Sequence, residues 1–240
     1  MALRAMPARA DDKPWVTRLV SGPMDDAGWL VGLDIKMQPH WKTYWRVPGQ
    51  GGVPPFIEAK GDNVKSFEVL CPTPTRFRNK DGESIGYMDS VMFVVRIAAK
   101  DPSKVTTADV SAFVGVCQNI CIPVPFSAHV SIEDHSLLAD LDSLRRWTAL
   151  VPVATQDMVT AAKAMMVDGK PAVRFELSRP LKDIFVEGSD RYYFKAPQFD
   201  GTSATVSVAG AKTLDELRKT PLRVTGKLDV GGLEQMVTVV

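Results

Sequence analysis

The feature that most constrains this chain is a period of two in its apolar residues. From Trp29 to Gln38, Trp29, Val31, Leu33, Ile35 and Met37 fall on one face, while Gly32, Asp34, Lys36 and Gln38 fall on the other. Successive strand side chains point to opposite faces, so this alternation specifies a half-buried β-strand and does not fit the 3.6-residue repeat of a helix. Similar short runs span 15–20, 56–59, 64–70, 91–98, 110–116 and 126–132, separated by turn formers such as Gly49-Gln50-Gly51-Gly52 and Asp81-Gly82. Seven short strands punctuated in this way predict an immunoglobulin-like β-sandwich.

The spacing changes after Asp134. Leu137, Leu138, Leu141, Leu144 and Trp147 recur at helical intervals behind an Asp or Ser cap, which predicts a helix that closes the first domain. Beyond Pro152 the strand pattern resumes. Asp168-Gly169 is expected to join 164–167 and 172–177 as a hairpin, followed by strands at 184–187, 191–195, 204–208, 222–228 and 235–240. The fold class is therefore all-β, with two immunoglobulin-like β-sandwich domains joined by a short helix and linker. The expected organisation is residues 1–10 as a leader or cloning remnant, 11–150 as the first domain with its terminal helix, and 151–240 as the second sandwich. Ala8-Arg9-Ala10 has the small-x-small form of a signal-peptidase site without the apolar core that should precede it, so an ordinary frayed terminus is the alternative. The closing run Met236-Val237-Thr238-Val239-Val240 carries no polar tail and suggests a piece of something longer.

Charge narrows the function classes. The 29 Lys and Arg against 28 Asp and Glu give a net charge of +1, so no global field draws the chain to nucleic acid or to an anionic membrane. No apolar run approaches the roughly 20 residues that a helix needs to cross a bilayer. Neither a nucleophile elbow, a phosphate loop, a paired acid/base carboxylate motif nor a nucleotide fingerprint is present, and nothing calls for a cofactor.

Chemistry concentrates in Val116-Cys117-Gln118-Asn119-Ile120-Cys121-Ile122-Pro123, which holds two of the three cysteines. Asn119 tolerates turn geometry and Pro123 pushes Ile122 towards extended backbone, so the pair is expected at a β-hairpin tip. A ring this short is worth only about 2 kcal/mol by chain entropy, against roughly 4.7 for a hundred-residue loop. A bridge that stabilises so little is better explained by redox exchange than by stapling, although a structural brace and a metal site stay open. The flanks carry no charge, so nothing adjacent in sequence lowers a thiol pKa. Cys71, before Pro72, has no nearby partner and reads as a small buried hydrophobe.

Three blocks in one order carry a resemblance: HWKTYWRVPGQGGVPP at 40–55, PTRFRNKDGESIGYMDSVMF at 74–93 and VGVCQNICIPV at 114–124. Together they resemble the N-terminal periplasmic region of the DsbD/ScsB thiol:disulfide interchange proteins, closer to the ScsB branch; from Val151 onward the likeness is architectural only. The resemblance implies a periplasmic protein-disulfide reductase domain of a membrane-embedded parent. Cys117 and Cys121 would be its catalytic pair, cycling between dithiol and disulfide. Its partners would be thioredoxin-fold proteins, one the electron donor and another the periplasmic disulfide substrate. The DsbD branch has a wider cysteine spacing, so its substrates do not transfer. By the same resemblance a cap loop spans roughly Phe77 to Tyr87, with Phe77 or Tyr87 as the capping aromatic, and Tyr44 matches an aromatic near the active site.

Trp41, Tyr44 and Trp45 are read either as core, the default for aromatics in a sandwich, or as a lid over the cysteines. Cys117 and Cys121 followed by His129 and His135 resemble a zinc-ligand order only loosely, because the gap between the pairs is too short. No metal is assigned. Monovalent copper on the two thiolates is chemically reasonable and treated as incidental, and His40 is read as a surface or turn residue.

Overall fold

The computed structural model describes residues 13–79 and 82–240. In chain order the strands of the first half are β1 (Trp15–Asp25), β2 (Gly28–Met37), β3 (Lys42–Gly49), β4 (Phe56–Lys60), β5 (Val64–Leu70), β6 (Thr75–Asn79), β7 (Gly82–Met88), β8 (Ser90–Ala99), β9 (Thr107–Cys117) and β10 (Cys121–Ser131). Helix α1 (Leu138–Thr148) follows, then β11 (Val153–Ala154), β12 (Val159–Val167), β13 (Lys170–Leu177), β14 (Asp183–Glu187), β15 (Tyr193–Phe194), β16 (Gln198–Asp200) and β17 (Ser203–Ala209). The chain ends with α2 (Leu214–Arg218), β18 (Leu222–Lys227) and β19 (Gly232–Val237). The fold is all-β, as expected; the leader expectation for 1–10 lies outside the described residues.

Packing divides the chain into two compact units. The first holds residues up to Tyr44 with 53–69 and 86–144, and the second holds 45–52, 70–85 and 145–240. This differs from a single cut near residue 150, because two inserts of the N-terminal half, 45–52 and 70–85, pack with the C-terminal sandwich. Strand β3 changes units between Tyr44 and Trp45, and β7 between Ile85 and Gly86.

In the first unit β1, β2, β8 and β5 form one sheet in that order. β2 pairs antiparallel with β8 so that Val31 faces Val95 and Leu33 faces Phe93. The expected stripe Trp29, Val31, Leu33, Ile35 and Met37 is buried, and on the opposite face Leu30, Gly32 and Asp34 are buried too while Lys36 stays exposed. There Leu144 of α1 lies over Gly22 and Gly32, where a Cβ would collide with it. Asp34, 2% exposed, is compensated by Arg18 at 3.0 Å, and Arg18 reaches Asp140 of α1 at 2.7 Å. Among the described residues Leu144 is the one fully buried member of the predicted apolar stripe, with Leu141 and Trp147 half-buried, and the ion bridge through Arg18 adds to the hold on the helix. Leu137 and Leu138 are 72% and 81% exposed, and the Asp134 carboxylate accepts from the Ser131 N–H, so Asp134 does not act as the helix cap.

The second sheet is ordered β10-β9-β3-β7-β6, with β4 also on β9. Here the sequence reading missed strands. The stretch expected as a cap loop, 77–87, is largely β6 and β7, with Lys80 and Asp81 of that loop outside the described residues. β3 has Thr43, Tyr44 and Trp45 buried in succession, and β7 buries Ser84 through Tyr87. A strand covered on both faces shows no alternation, so its period is invisible. Gly86 permits a close approach in the first unit: a Cβ there would stand 2.0 Å from the Thr43 carbonyl.

The second unit encloses its core between a sheet β11-β19-β18-β14 and a sheet β12-β13-β17-β15 to which β16 is added. Phe175, Ala204, Val206, Ile184, Leu222 and Val224 come from both sheets and are at most 1% exposed. The predicted Asp-Gly hairpin is present, with Val167 opposite Lys170 and both Asp168 and Gly169 at positive φ. Within this unit Arg46 stacks on Trp45 at 4.5 Å and pairs with Glu187 at 2.6 Å and with Glu234.

Candidate functional site

β9 and β10 form an antiparallel hairpin in which Cys121 is the direct partner of Cys117, with Gln118, Asn119 and Ile120 as the turn. Directly opposed strand residues bring their Cβ atoms to within about 5.5 Å. Here the Cα atoms are 4.1 Å apart and the two sulfurs are bonded. The expected hairpin tip and the expected pairing are both found. Cys117 is 2% exposed, whereas Cys121, on the edge strand of the sheet, is exposed. The bridge thus has one sulfur carrier inside and one at the surface.

Two residues of β3 complete the site. Lys42 is the ladder partner of Cys117 on the side away from β10, so Lys42, Cys117 and Cys121 occupy one row across three strands. Tyr44, two residues on, shares that face. Gly115 shares it too, and a Cβ at that position would lie 3.5 Å from the Tyr44 ring. The absence of a side chain at 115 lets the ring lie across β9, and its hydroxyl reaches Cys121 Sγ at 3.2 Å. A disulfide sulfur carries no hydrogen, so Tyr44 is the donor. Burial pushes the Tyr44 phenol above its ordinary range, which keeps that proton in place at neutral pH. Burial also pulls the Lys42 ammonium down from the usual lysine range, and its Nζ lies 5.9 Å from the Tyr44 ring centre.

Of the other expected site residues, Trp41 precedes β3 and is half-buried; its N–H donates to Gln38 and its carbonyl accepts from Asp89. Tyr87 is 6% exposed, its ring edge-on to Phe93 at 5.6 Å. Phe77 is half-buried on β6, in the second unit. The structure therefore brings Tyr44 to the cysteines and adds Lys42, which sequence reasoning missed. The flanks of the pair are uncharged, and the only available signal was the cation two residues before Tyr44, meaningless until the β3–β9 register is known. Trp45, weighed with Tyr44 as lid or core, is fully buried against Phe185 at 5.6 Å. His129 bonds its ladder partner Asp109 at 2.9 Å, on the far end of the hairpin from the bridge. Among the described residues no three His, Cys, Asp or Glu side chains converge as a metal site.

Cys71 provides the contrast. It is a free thiol, 3% exposed. Burial pushes its pKa up to about 11 against the opposing pull of Arg46.

Fold and site together define an all-β protein that carries a short disulfide at the tip of a surface hairpin. Residues 18–127 match the family described as thiol:disulfide interchange protein DsbD, N-terminal. Its fold is also that of the N-terminal periplasmic domain of ScsB from Proteus mirabilis, with a TM-score of 0.74 at 20% identity over 98% of this chain and 96% of that one. No curated protein matches it in sequence. Among the described residues no helix is long and apolar enough to cross a membrane.

Proposed function

We propose that this chain is a periplasmic protein-disulfide reductase domain of the ScsB branch. It takes electrons from a membrane-linked thioredoxin-fold donor and passes them to disulfides of periplasmic partner proteins. The observation that carries the reading is the asymmetric bridge, with an exposed Cys121 bonded to a buried Cys117 and a tyrosine hydroxyl on the exposed sulfur. A donor thiolate attacks Cys121 Sγ in line with the bridge; a donor–Cys121 disulfide forms, and the electron pair of the broken S–S bond leaves on Cys117. The donor's second thiolate then attacks the donor sulfur of this mixed disulfide and frees Cys121. The two protons of the donor dithiol pass through solvent to the two cysteines. Delivery runs the same steps backwards: Cys121 attacks the partner disulfide and Cys117 resolves the intermediate. Electron pairs and protons pass directly between thiols and disulfides, so the reaction needs no cofactor.

The test is a titration against redox buffers together with a trap. The bridge is expected to equilibrate above about −300 mV, the level below which structural disulfides resist glutathione. Cys117→Ser is expected to accumulate a mixed disulfide between Cys121 and a thioredoxin-fold protein, because the resolving thiol is gone. A bridge that stays oxidised at lower potentials, with no trapped species, would make it a structural brace.

A further inference from the structure

We propose that Lys42 holds the negative charge that develops on Cys117 as the bridge opens, and thereby sets how readily a thiol can open it. The inference rests on the exchange reading above but concerns a residue that neither the cysteine motif nor its flanks reveal.

Lys42 on β3 is the direct ladder partner of Cys117 on β9, and Cys121 on β10 is the partner on the other side. Paired residues of neighbouring strands project from the same face, so the ammonium-bearing chain rises beside the sulfur that becomes the leaving group. The side chain is fixed in direction as well: Nζ stands over the Tyr44 ring at 5.9 Å, and that ring ends in a hydroxyl 3.2 Å from Cys121 Sγ. A cation, an aromatic and two sulfurs therefore form one cluster on one face.

Burial then decides the size of the effect. Cys117 is 2% exposed, and a thiolate created there loses most of its hydration, which by itself would raise its pKa and slow its departure. A nearby cation that is itself half-buried acts on that anion through a poorer dielectric than water and is weakly screened. The burial that pulls the Lys42 ammonium down is the same desolvation, which an anion at Cys117 relieves. Among the described residues, the titratable groups on the strands paired with β9 beside the bridge include Lys42 and Tyr44 on β3 and Cys121 on β10. Glu58 and Lys60 on β4 and His129 on β10 stand beside Ser111 and Asp109, six or more residues further along β9.

The incoming thiolate bonds to Cys121 Sγ, the Sγ–Sγ bond breaks, and the electron pair stays on Cys117. A leaving thiol of lower pKa leaves faster, and stabilising the reduced form raises the reduction potential. Lys42 acts on both.

The experiment uses the full chain and a small dithiol, dithiothreitol, with no partner protein. In Cys121→Ser protein, the Cys117 thiolate is titrated by its absorbance near 240 nm with Lys, Arg, Gln or Met at position 42; Cys71 titrates separately, near 11. Replacing Lys42 by Met or Gln is expected to raise the Cys117 pKa by about one unit, a tenfold loss of thiolate at neutral pH, while Lys42→Arg stays close to wild type. In the disulfide form, Lys42→Met is expected to slow opening by dithiothreitol about fivefold and to lower the reduction potential, with Lys42→Arg again near wild type. Melting temperatures identify any variant that fails to fold, and the remaining neutral substitution then carries the comparison with Arg. A Cys117 pKa and an opening rate that do not change when the charge is removed would overturn the proposal. Because no partner is present, that failure is distinct from failure of the relay reading, which would appear as a bridge opened normally by dithiothreitol but refused by every thioredoxin-fold donor.

Discussion

Cys71 and Cys117 are buried to the same degree, at 3% and 2% exposure, and yet their chemistry diverges. Cys71 sits in the second unit beside Arg46, whose charge is already matched by Glu187 and Glu234. Burial pushes the thiol up and Glu187 adds to that push, which outweighs the pull of Arg46 and leaves the thiol near 11. Cys117 sits at the end of β9, tied covalently to an exposed residue and with Lys42 as its neighbour across the ladder. Burial alone does not make a cysteine inert. What separates the two is whether a second sulfur connects the thiol to the surface.

The largest expected effect breaks the redox half of this comparison. Cys117→Ser and Cys121→Ser are each expected to abolish turnover in a protein-disulfide reduction assay. Each should cost no more than about 2 kcal/mol in denaturant unfolding, the most so short a ring supplies. Cys71→Ala, in contrast, is expected to leave turnover unchanged. Turnover that survives loss of either hairpin cysteine, or vanishes with Cys71, would invert the assignment.

The next effect lies at Arg46. Removing it strands Glu187 and Glu234 in a partly buried setting and strips the cation from the Trp45 face. Breaking a buried ion pair on one side costs about 3 kcal/mol or more. Arg46→Met is thus expected to lower unfolding stability by about that amount, with the opening rate of the disulfide unchanged at temperatures where the protein remains folded.

A smaller effect is the alkaline response of Cys71. Its folded pKa of about 11 lies above the ordinary 9.0, so the folded state disfavours the thiolate. The sign follows: this contribution is fully present below about pH 9 and is lost as pH rises towards 11. Two pKa units correspond to about 2.7 kcal/mol, an upper figure. Comparing unfolding free energies of wild type and Cys71→Ala between pH 8 and 11 isolates it, and the variant should fall less steeply.

The smallest is Tyr44→Phe. The ring stays packed over Gly115, and only the hydroxyl to Cys121 Sγ is lost. The expected change in stability is about 1 kcal/mol or less. Reaction of the reduced pair with iodoacetamide is expected to rise modestly as the exposed sulfur loses its donor. A collapse of stability would instead mean that the ring itself had shifted.

How much could be read in advance depended on whether the apolar residues of each element alternate along the chain. Strands with one apolar stripe, such as β2 and β9, and the Asp168-Gly169 hairpin were legible because alternation and turn chemistry are local properties. β3 and β7 were not, since Thr43 to Trp45 and Ser84 to Tyr87 are buried in unbroken runs that mix polar, apolar and glycine positions, so their burial follows no apolar alternation. Helix α1 was found but its packing was misjudged at the start, because Leu144 is buried while Leu137 and Leu138 face solvent. The capping segment was expected as a loop because Arg76 to Glu83 is polar. Yet Arg76 is largely buried through ion pairs to Glu83 and Asp183, pairings between residues up to 107 positions apart.

By itself the sequence determined the all-β class, the hairpin, and the bond between Cys117 and Cys121, because four positions of spacing across a turn leave the two sulfurs little choice. Only the tertiary structure decided which sulfur is exposed, that Tyr44 reaches it, and that Lys42 stands beside the other. Those facts depend on the register of β3 against β9, two strands separated by some sixty residues of chain. That register is set by the packing of whole sheets, and no local pattern encodes it.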